Sequence, residues 1–155
     1  IMKLIKELVS NSYEETKKFG WHLGRNAEPG DVVLLIGELG AGKTTFTQGV
    51  AEGIEVNEPV RSPTFVLVLQ YQGRLLLNHI DLYRVGGLTE VLDMGLDEYL
   101  LSDGISIIEW ANRASDAFPG PRLEITFEHV DVNERLLNFQ GYGVRHCDLL
   151  RAIIE

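Results

Sequence analysis

The chain has 155 residues, 45% hydrophobic and 24% charged, an ordinary balance for a soluble globular protein and a length that predicts one domain over residues 1–155 with a genuine core. Asp and Glu outnumber Lys and Arg by 23 to 14, giving a net charge of −9; because unaided nucleic-acid binding rests mainly on cations against phosphates, direct tRNA or DNA binding is disfavoured. A single cysteine, Cys147, excludes an internal disulfide, and with no signal-peptide pattern and no apolar run near the roughly 18 residues that span a bilayer, a cytoplasmic protein with no membrane role is expected.

Ile1 precedes a methionine, and Met2 reads as the natural start. Residues 3–9, KLIKELV, predict an edge strand. Ser12 and Glu15 have capping-box spacing, so a helix is expected from about Tyr13, with Thr16, Phe19, Gly20 and Leu23 on one face. EPGD at 28–31 is a turn, and the continuous apolar run VVLLIG at 32–37 predicts a strand buried on both faces. A glycine-rich loop follows, then a helix from about Lys43 to Glu52 stopped by Gly53.

Pro59 and Pro63 bracket an extended loop, after which TFVLVLQY (64–71) and RLLLNHI (74–80) predict a hairpin turning at Gln72-Gly73. Residues 88–101 read as short helical pieces broken by Gly95, and GISIIEW (104–110) as another buried strand. After the PGP loop at 119–121, RLEITFEHV (122–130) is expected to pair with RLLNFQG (135–141), and the CDLLRAIIE tail suits an amphipathic helix. Strands interleaved with helices, with one or two hairpins, imply an α/β fold with a mixed sheet.

Gly37, Gly42, Lys43 and Thr44 match G-x-x-x-x-G-K-[ST]. Gly37, Gly40 and Gly42, with small Ala41, let the backbone curl so that successive N–H groups face phosphate oxygens, and the next helix adds its positive end. The pattern makes Gly37, Glu38, Leu39, Gly40, Ala41, Gly42, Lys43, Thr44 and Thr45 the nucleotide-binding stretch, with Lys43 on the β- and γ-phosphates and the Thr44 hydroxyl on Mg²⁺. An ordinary glycine turn is the alternative, but here the loop follows a buried strand and opens a helix.

Such a site also needs a carboxylate on a neighbouring strand near the metal. Asp81, in HIDLYR (79–84), is one candidate; the plainer roles are a strand-end cap or a salt bridge to Arg84. Glu109, ending SIIEW, is the other, at a strand edge that faces the ligand crevice of α/β sheets, where it could ligate Mg²⁺ or position water. Spacing alone does not rank the two. His79 shares a face with Asp81 and reads first as a packed histidine, as Trp110 reads first as packing. In RSPTF (61–65), Thr64 and Ser62 fit the mobile loop with which P-loop switch proteins sense the γ-phosphate or its metal, against a rigid proline-bounded turn. Arg61, Arg84 and Arg113 are candidate transition-state charges, although each reads first as structural.

No Asn-Lys-x-Asp guanine reader is present. The 111–121 stretch holds one arginine where a small-molecule kinase would carry an arginine-rich lid, and the length leaves no room for the helical modules of a hexameric motor. A stand-alone ATPase serving another protein is the expectation, with a small-molecule P-loop kinase or a nucleotide-dependent binding module as alternatives.

In order, GELGAGKTTF (37–46), RSPTF (61–65), HIDLYR (79–84) and IIEW (107–110) resemble one family over most of the chain, the bacterial ATPase of tRNA threonylcarbamoyladenosine biosynthesis known as TsaE; SYEET, DMGLDEYL (93–100) and the late strand pair fit as well. The resemblance implies a P-loop NTPase-like three-layer fold, with a mostly parallel central sheet and C-terminal antiparallel strands. It also implies binding of ATP, or ADP as product, with Mg²⁺. Family members assist the attachment of threonylcarbamoyl to adenosine 37 of tRNA; they dock on the transferase complex and spend ATP hydrolysis there, so that tRNA is met only indirectly. By position, Lys43 and Thr44 hold phosphates and metal, Glu109 matches the second Mg²⁺ ligand, Asp81 the acid of the HxDLYR motif, and Thr64 the switch-like loop. The segment Tyr13–Thr16 and residues near Arg135 would border the adenine, and Ala111 stands where many relatives have proline.

Overall fold

In a computed structural model of the chain, residues 1–38, 40–61, 68–82, 95, 97–100, 103–110 and 118–154 are described. The elements run β1 (Lys3–Ser10), α1 (Tyr13–Asn26), β2 (Val32–Ile36), α2 (Lys43–Gly53), β3 (Val68–Gln72), β4 (Leu76–Asp81), α3 (Asp97–Leu100), β5 (Ile105–Trp110), β6 (Arg122–His129), β7 (Arg135–Tyr142) and α4 (Val144–Ile154). They form a seven-stranded sheet in the order β1-β7-β6-β2-β5-β4-β3. The four central strands are parallel, and both flanks are antiparallel. The fold is therefore the expected α/β type with a mixed sheet, and β1 lies at its edge as the sequence implied.

β2 has no polar face because both of its faces are covered. Val33 and Leu35 join Leu23 of α1, Phe46 and Val50 of α2, and Leu149 of α4 in the larger core cluster. Leu34 points the other way, into a smaller cluster with Ile80, Ile108 and Phe118. A strand buried on both sides must be apolar at every position, and VVLLI is.

Helix α1 starts where the capping signal put it. Ser12 is extended (φ −157°) and its hydroxyl accepts from the Glu15 N–H at 3.1 Å. The Glu15 carboxylate accepts from the N–H of Asn11 at 2.7 Å, closing the box one residue earlier than the common pattern. At the other end, the Arg74 guanidinium donates to the carbonyl of Gly24 at 2.8 Å, so the β3–β4 turn holds the last turn of α1.

Helices α1 and α2 cross backbone against backbone. Gly20 and Gly24 of α1 face Gly49 and Gly53 of α2; a Cβ at Gly20 would collide with the Phe46 carbonyl, and one at Gly49 with the Lys17 carbonyl. Spacing of four places both glycines of each helix on one face. Helix α2 stops at Gly53 as expected, with that glycine as its last residue; the left-handed conformation beyond the helix falls to Glu55, at φ 66°. The β3–β4 hairpin shifts, since β3 continues to Gln72 and pairs it with Leu76 across a turn at Gly73–Leu75. Of the helical pieces expected over 88–101, the single turn α3 and Gly95 are described; the rest lies outside the described residues.

The start of β2 is tied to α4 by an ion pair between a buried carboxylate and a partly exposed arginine. Arg145 donates through Nε (2.9 Å) and Nη2 (2.7 Å) to the two oxygens of Asp31, whose side chain is 2% exposed. Next to it, Nε2 of buried His146 accepts from the Val32 N–H at 3.1 Å. No helix among the described residues is long and apolar enough to cross a membrane.

Candidate functional site

The loop after β2 turns through Ala41, whose N–H donates to the Glu38 carbonyl at 3.2 Å, and enters α2 at Gly42. Gly42 is the helix N-cap in the left-handed region, at φ 111°, with no side-chain cap. A residue with a Cβ is strained there, and the helix N–H groups that a Ser or Asp cap would occupy are left for a ligand. Lys43 opens the helix nearly buried, at 7% exposure, and its ammonium donates back to the Gly37 carbonyl at 2.6 Å. The loop is therefore held closed by its own lysine. Phe46, one turn on, stacks edge-on against Phe127 of β6 at 5.8 Å and anchors α2 to the sheet.

A cavity of about 230 Å³ opens above this loop, at the carboxyl ends of the parallel strands. Gly40, Gly42, Lys43, Thr44 and Thr45 form its floor, and Asp81 and Glu109 one wall. Parallel register explains the wall: Asp81 pairs with Glu109 across β4 and β5, so the two carboxylates leave neighbouring strand ends on the same face, with strands about 4.8 Å apart. Two carboxylates side by side, opposite an ammonium and a helix N-terminus, form a mixed-charge site suited to a cation and an anion held together.

The opposite wall comes from distant parts of the chain. Ser12, Tyr13 and Thr16 contribute the first turn of α1, and Val132, Asn133 and Arg135 the β6–β7 turn. Thr16 is fixed by a 2.6 Å bond to the Ser10 hydroxyl, and the Tyr13 hydroxyl donates to Gln48 of α2 at 2.9 Å. The turn is organised by Arg135, whose Nη1 donates to the carbonyls of Asp131, Val132 and Glu134 at 3.0–3.1 Å.

The structure thus brings Lys43, Thr44, Thr45, Asp81 and Glu109 to one cavity, with Gly37, Glu38 and Ala41 in the loop beneath it. Leu39, Ser62, Thr64, Arg84, Ala111 and Arg113 lie outside the described residues. Arg61 is exposed, with its backbone N–H on the Tyr71 hydroxyl at 3.2 Å, and is not among the cavity residues. Three features exceed the sequence reading. Val132 and Asn133 join the wall, and an apolar valine in the otherwise polar turn at 131–134 was the signal available for them; the structure leaves it 82% exposed. Ser12, read as a cap, lines the cavity as well. His79 is packed as expected, with no exposure, but its Nε2 also lies 2.8 Å from Oε2 of Glu109.

Residues 10–137 match the family model described as threonylcarbamoyl adenosine biosynthesis protein TsaE. A protein of Bacillus subtilis (strain 168) named tRNA threonylcarbamoyladenosine biosynthesis protein TsaE is 42% identical over 146 residues, 94% of this chain and 90% of its own length. Its namesake from Nostoc sp. is 45% identical over 142 residues, covering 88% and 86%. A crystal structure of B. subtilis YdiB superposes with a TM-score of 0.84 at 35% identity, over 99% of this chain and 97% of that one.

Proposed function

The chain belongs to the TsaE family of threonylcarbamoyl adenosine biosynthesis proteins, and from that premise we propose that it is an ATP-hydrolysing accessory subunit of tRNA N6-threonylcarbamoyladenosine-37 modification. It acts in the cytoplasm on the threonylcarbamoyl-transferase complex, and on tRNA only through that complex. The observation that carries this reading is the cavity in which Lys43, Thr44, Asp81 and Glu109 converge at the carboxyl ends of β2, β4 and β5. The net charge of −9 supports leaving tRNA to a partner.

The donors at the cavity are the Thr44 hydroxyl and two carboxylates, all oxygens, as a hard cation such as Mg²⁺ requires. Among the described residues no group of three or more His, Cys, Asp and Glu could hold a metal by itself, and Mg²⁺ in such sites shares its shell with substrate phosphates. Thr44 and Glu109 would hold it, and it would supply neutralisation of the phosphate charge.

Each remaining role belongs to the chain. The N–H groups from Gly40 to Thr45 wrap the β-phosphate, and Lys43 exchanges the Gly37 carbonyl for the β- and γ-oxygens. Asp81, beside Glu109, orients the attacking water and accepts its hydrogen bond. Water adds to the γ-phosphorus, the bond to the ADP oxygen breaks, and inorganic phosphate leaves with the proton shed by the water. Thr64 is the proposed γ-phosphate sensor. Tyr13, Thr16 and the turn at Val132–Arg135 border the nucleoside, which the cavity's far wall supports.

The test compares phosphate release by the protein alone, with the purified transferase complex, and with a panel of small metabolites. Stimulation by the complex is expected. A phosphorylated metabolite would replace this reading with that of a kinase.

A further inference from the structure

We infer that His79 is a positioning residue for Glu109: its Nε2–H holds one carboxylate oxygen so that the other is presented to the metal side of the cavity. This rests on the reading of Glu109 as a Mg²⁺ ligand. His79 sits on β4 opposite Ile107 of β5, one pleat below the Asp81–Glu109 pair and on the same face. It is fully buried and is not among the cavity residues, so any effect it has on a ligand passes through Glu109.

The hydrogen-bond inventory selects the tautomer. Nε2 lies 2.8 Å from Oε2 of Glu109, while Nδ1 is buried with no partner among the described residues. With the proton on Nε2 the short bond forms and Nδ1 keeps a lone pair. With the proton on Nδ1, an unpaired N–H would be buried and the Glu109 bond lost. The imidazole therefore donates. Glu109 is itself 4% exposed, and a flexible carboxylate at a strand end has several rotamers; engaging Oε2 selects one and leaves Oε1 without a bond from the described residues. Groups that orient metal ligands in this way typically change metal affinity by about 10- to 100-fold when removed.

The test uses the full chain and measures affinity for a fluorescent ADP analogue in Mg²⁺ and in EDTA; the ratio is the metal-dependent gain. His79→Leu should cut that gain about tenfold or more and leave the affinity in EDTA at the wild-type value. His79→Gln places an amide N–H where Nε2 was and should restore most of the gain, whereas His79→Asn places it where Nδ1 was and should not. A wild-type gain in His79→Leu, or equal losses in the Gln and Asn variants, overturns the inference, and the Gln–Asn comparison decides the matter if the leucine variant fails to fold. Glu109→Gln separates the two levels of argument. If it loses the gain while His79→Leu keeps it, only the positioning role is lost; if it keeps the gain, the metal reading of Glu109 falls and the inference with it. Nitrogen-15 spectra of the protein without nucleotide supply a readout independent of metal: a dominant Nδ1–H tautomer would refute the orientation directly.

Discussion

The close crossing of α1 and α2 makes Gly49→Ala a sharp test, because two effects of opposite sign compete. In an exposed helix the change stabilises by roughly 1 kcal/mol, since alanine is the better helix former. Here the new methyl meets the Lys17 carbonyl, with the Trp21 N–H also within 3.0 Å of it. Both are backbone atoms of a second helix, so no side-chain rotation relieves the contact, and the helices must part by a distance on the order of 1 Å. Overpacking of this kind costs about 1–3 kcal/mol, and rigid partners on both sides place it at the upper end. The net is a loss of about 2 kcal/mol, or a drop in Tm of roughly 4–8 °C for a chain of this size. The separation also reaches the site, since α2 begins at the phosphate loop and the first turn of α1 forms the cavity's opposite wall. Nucleotide affinity should fall with Tm. Gly120→Ala, where an added Cβ meets nothing within 4 Å, is the control and should leave both unchanged. Differential scanning calorimetry and nucleotide titration suffice, and a Tm for Gly49→Ala at or above wild type would show that helix propensity wins and the close crossing does not exist.

Lys43→Ala removes the cation proposed for the β- and γ-phosphates and should abolish ATP turnover; unchanged hydrolysis would refute the site. Arg145→Ala leaves Asp31 buried with its charge uncompensated. Because Arg145 is itself partly exposed, a loss of about 2–3 kcal/mol is expected in urea unfolding, below the 3–5 kcal/mol of a fully buried pair, and no measurable loss would contradict it. Burial holds the His146 pKa below its ordinary 6.5, helped by Arg145 and Arg122 and opposed by Asp31. The unfolded chain therefore binds the extra proton first, so this contribution to stability is complete above about pH 6.5 and declines as pH falls toward the folded-state value. His146→Gln, whose amide oxygen can still accept from Val32, should flatten the fall in unfolding free energy between about pH 7.5 and about pH 5.5; an unchanged slope would exclude His146 as its source.

What the sequence made legible was local or strictly periodic. The phosphate loop announces itself because its conformation needs particular glycines at particular places, and Gly42 at φ 111° shows why. Asp81 and Glu109 could be read as strand-end acids because apolar runs stop at them. Their adjacency, however, depends on β4 and β5 being neighbours in register across an intervening segment, and no local pattern encodes that. The same holds for the His79 bond to Glu109, 30 residues away in sequence. The β6–β7 turn was predicted as a connection but not as a wall, because its place over the cavity follows from the strand order β6-β2-β5. The glycine crossing was half visible: Gly20 fell on the buried face of α1, but the matching pair Gly49 and Gly53 has meaning only once α2 lies against it.

Charge joins the site to the chain as a whole. A polyphosphate entering the cavity meets Asp81 and Glu109 on one side, and on a protein of net charge −9 no general positive field offsets them. The attraction available is local: Lys43, the N–H groups of the loop and the positive end of α2. Arg135 adds less than its charge implies, because its guanidinium is already engaged with three carbonyls of its own turn. On the proposed reading the shortfall is what Mg²⁺ covers, so nucleotide affinity should depend on the metal far more steeply than in a site whose wall is neutral. The same acidic surface that gives no help to a triphosphate would repel a tRNA backbone. On the proposed reading, metal-dependent nucleotide binding and reliance on a partner to hold the tRNA would be two consequences of one charge distribution.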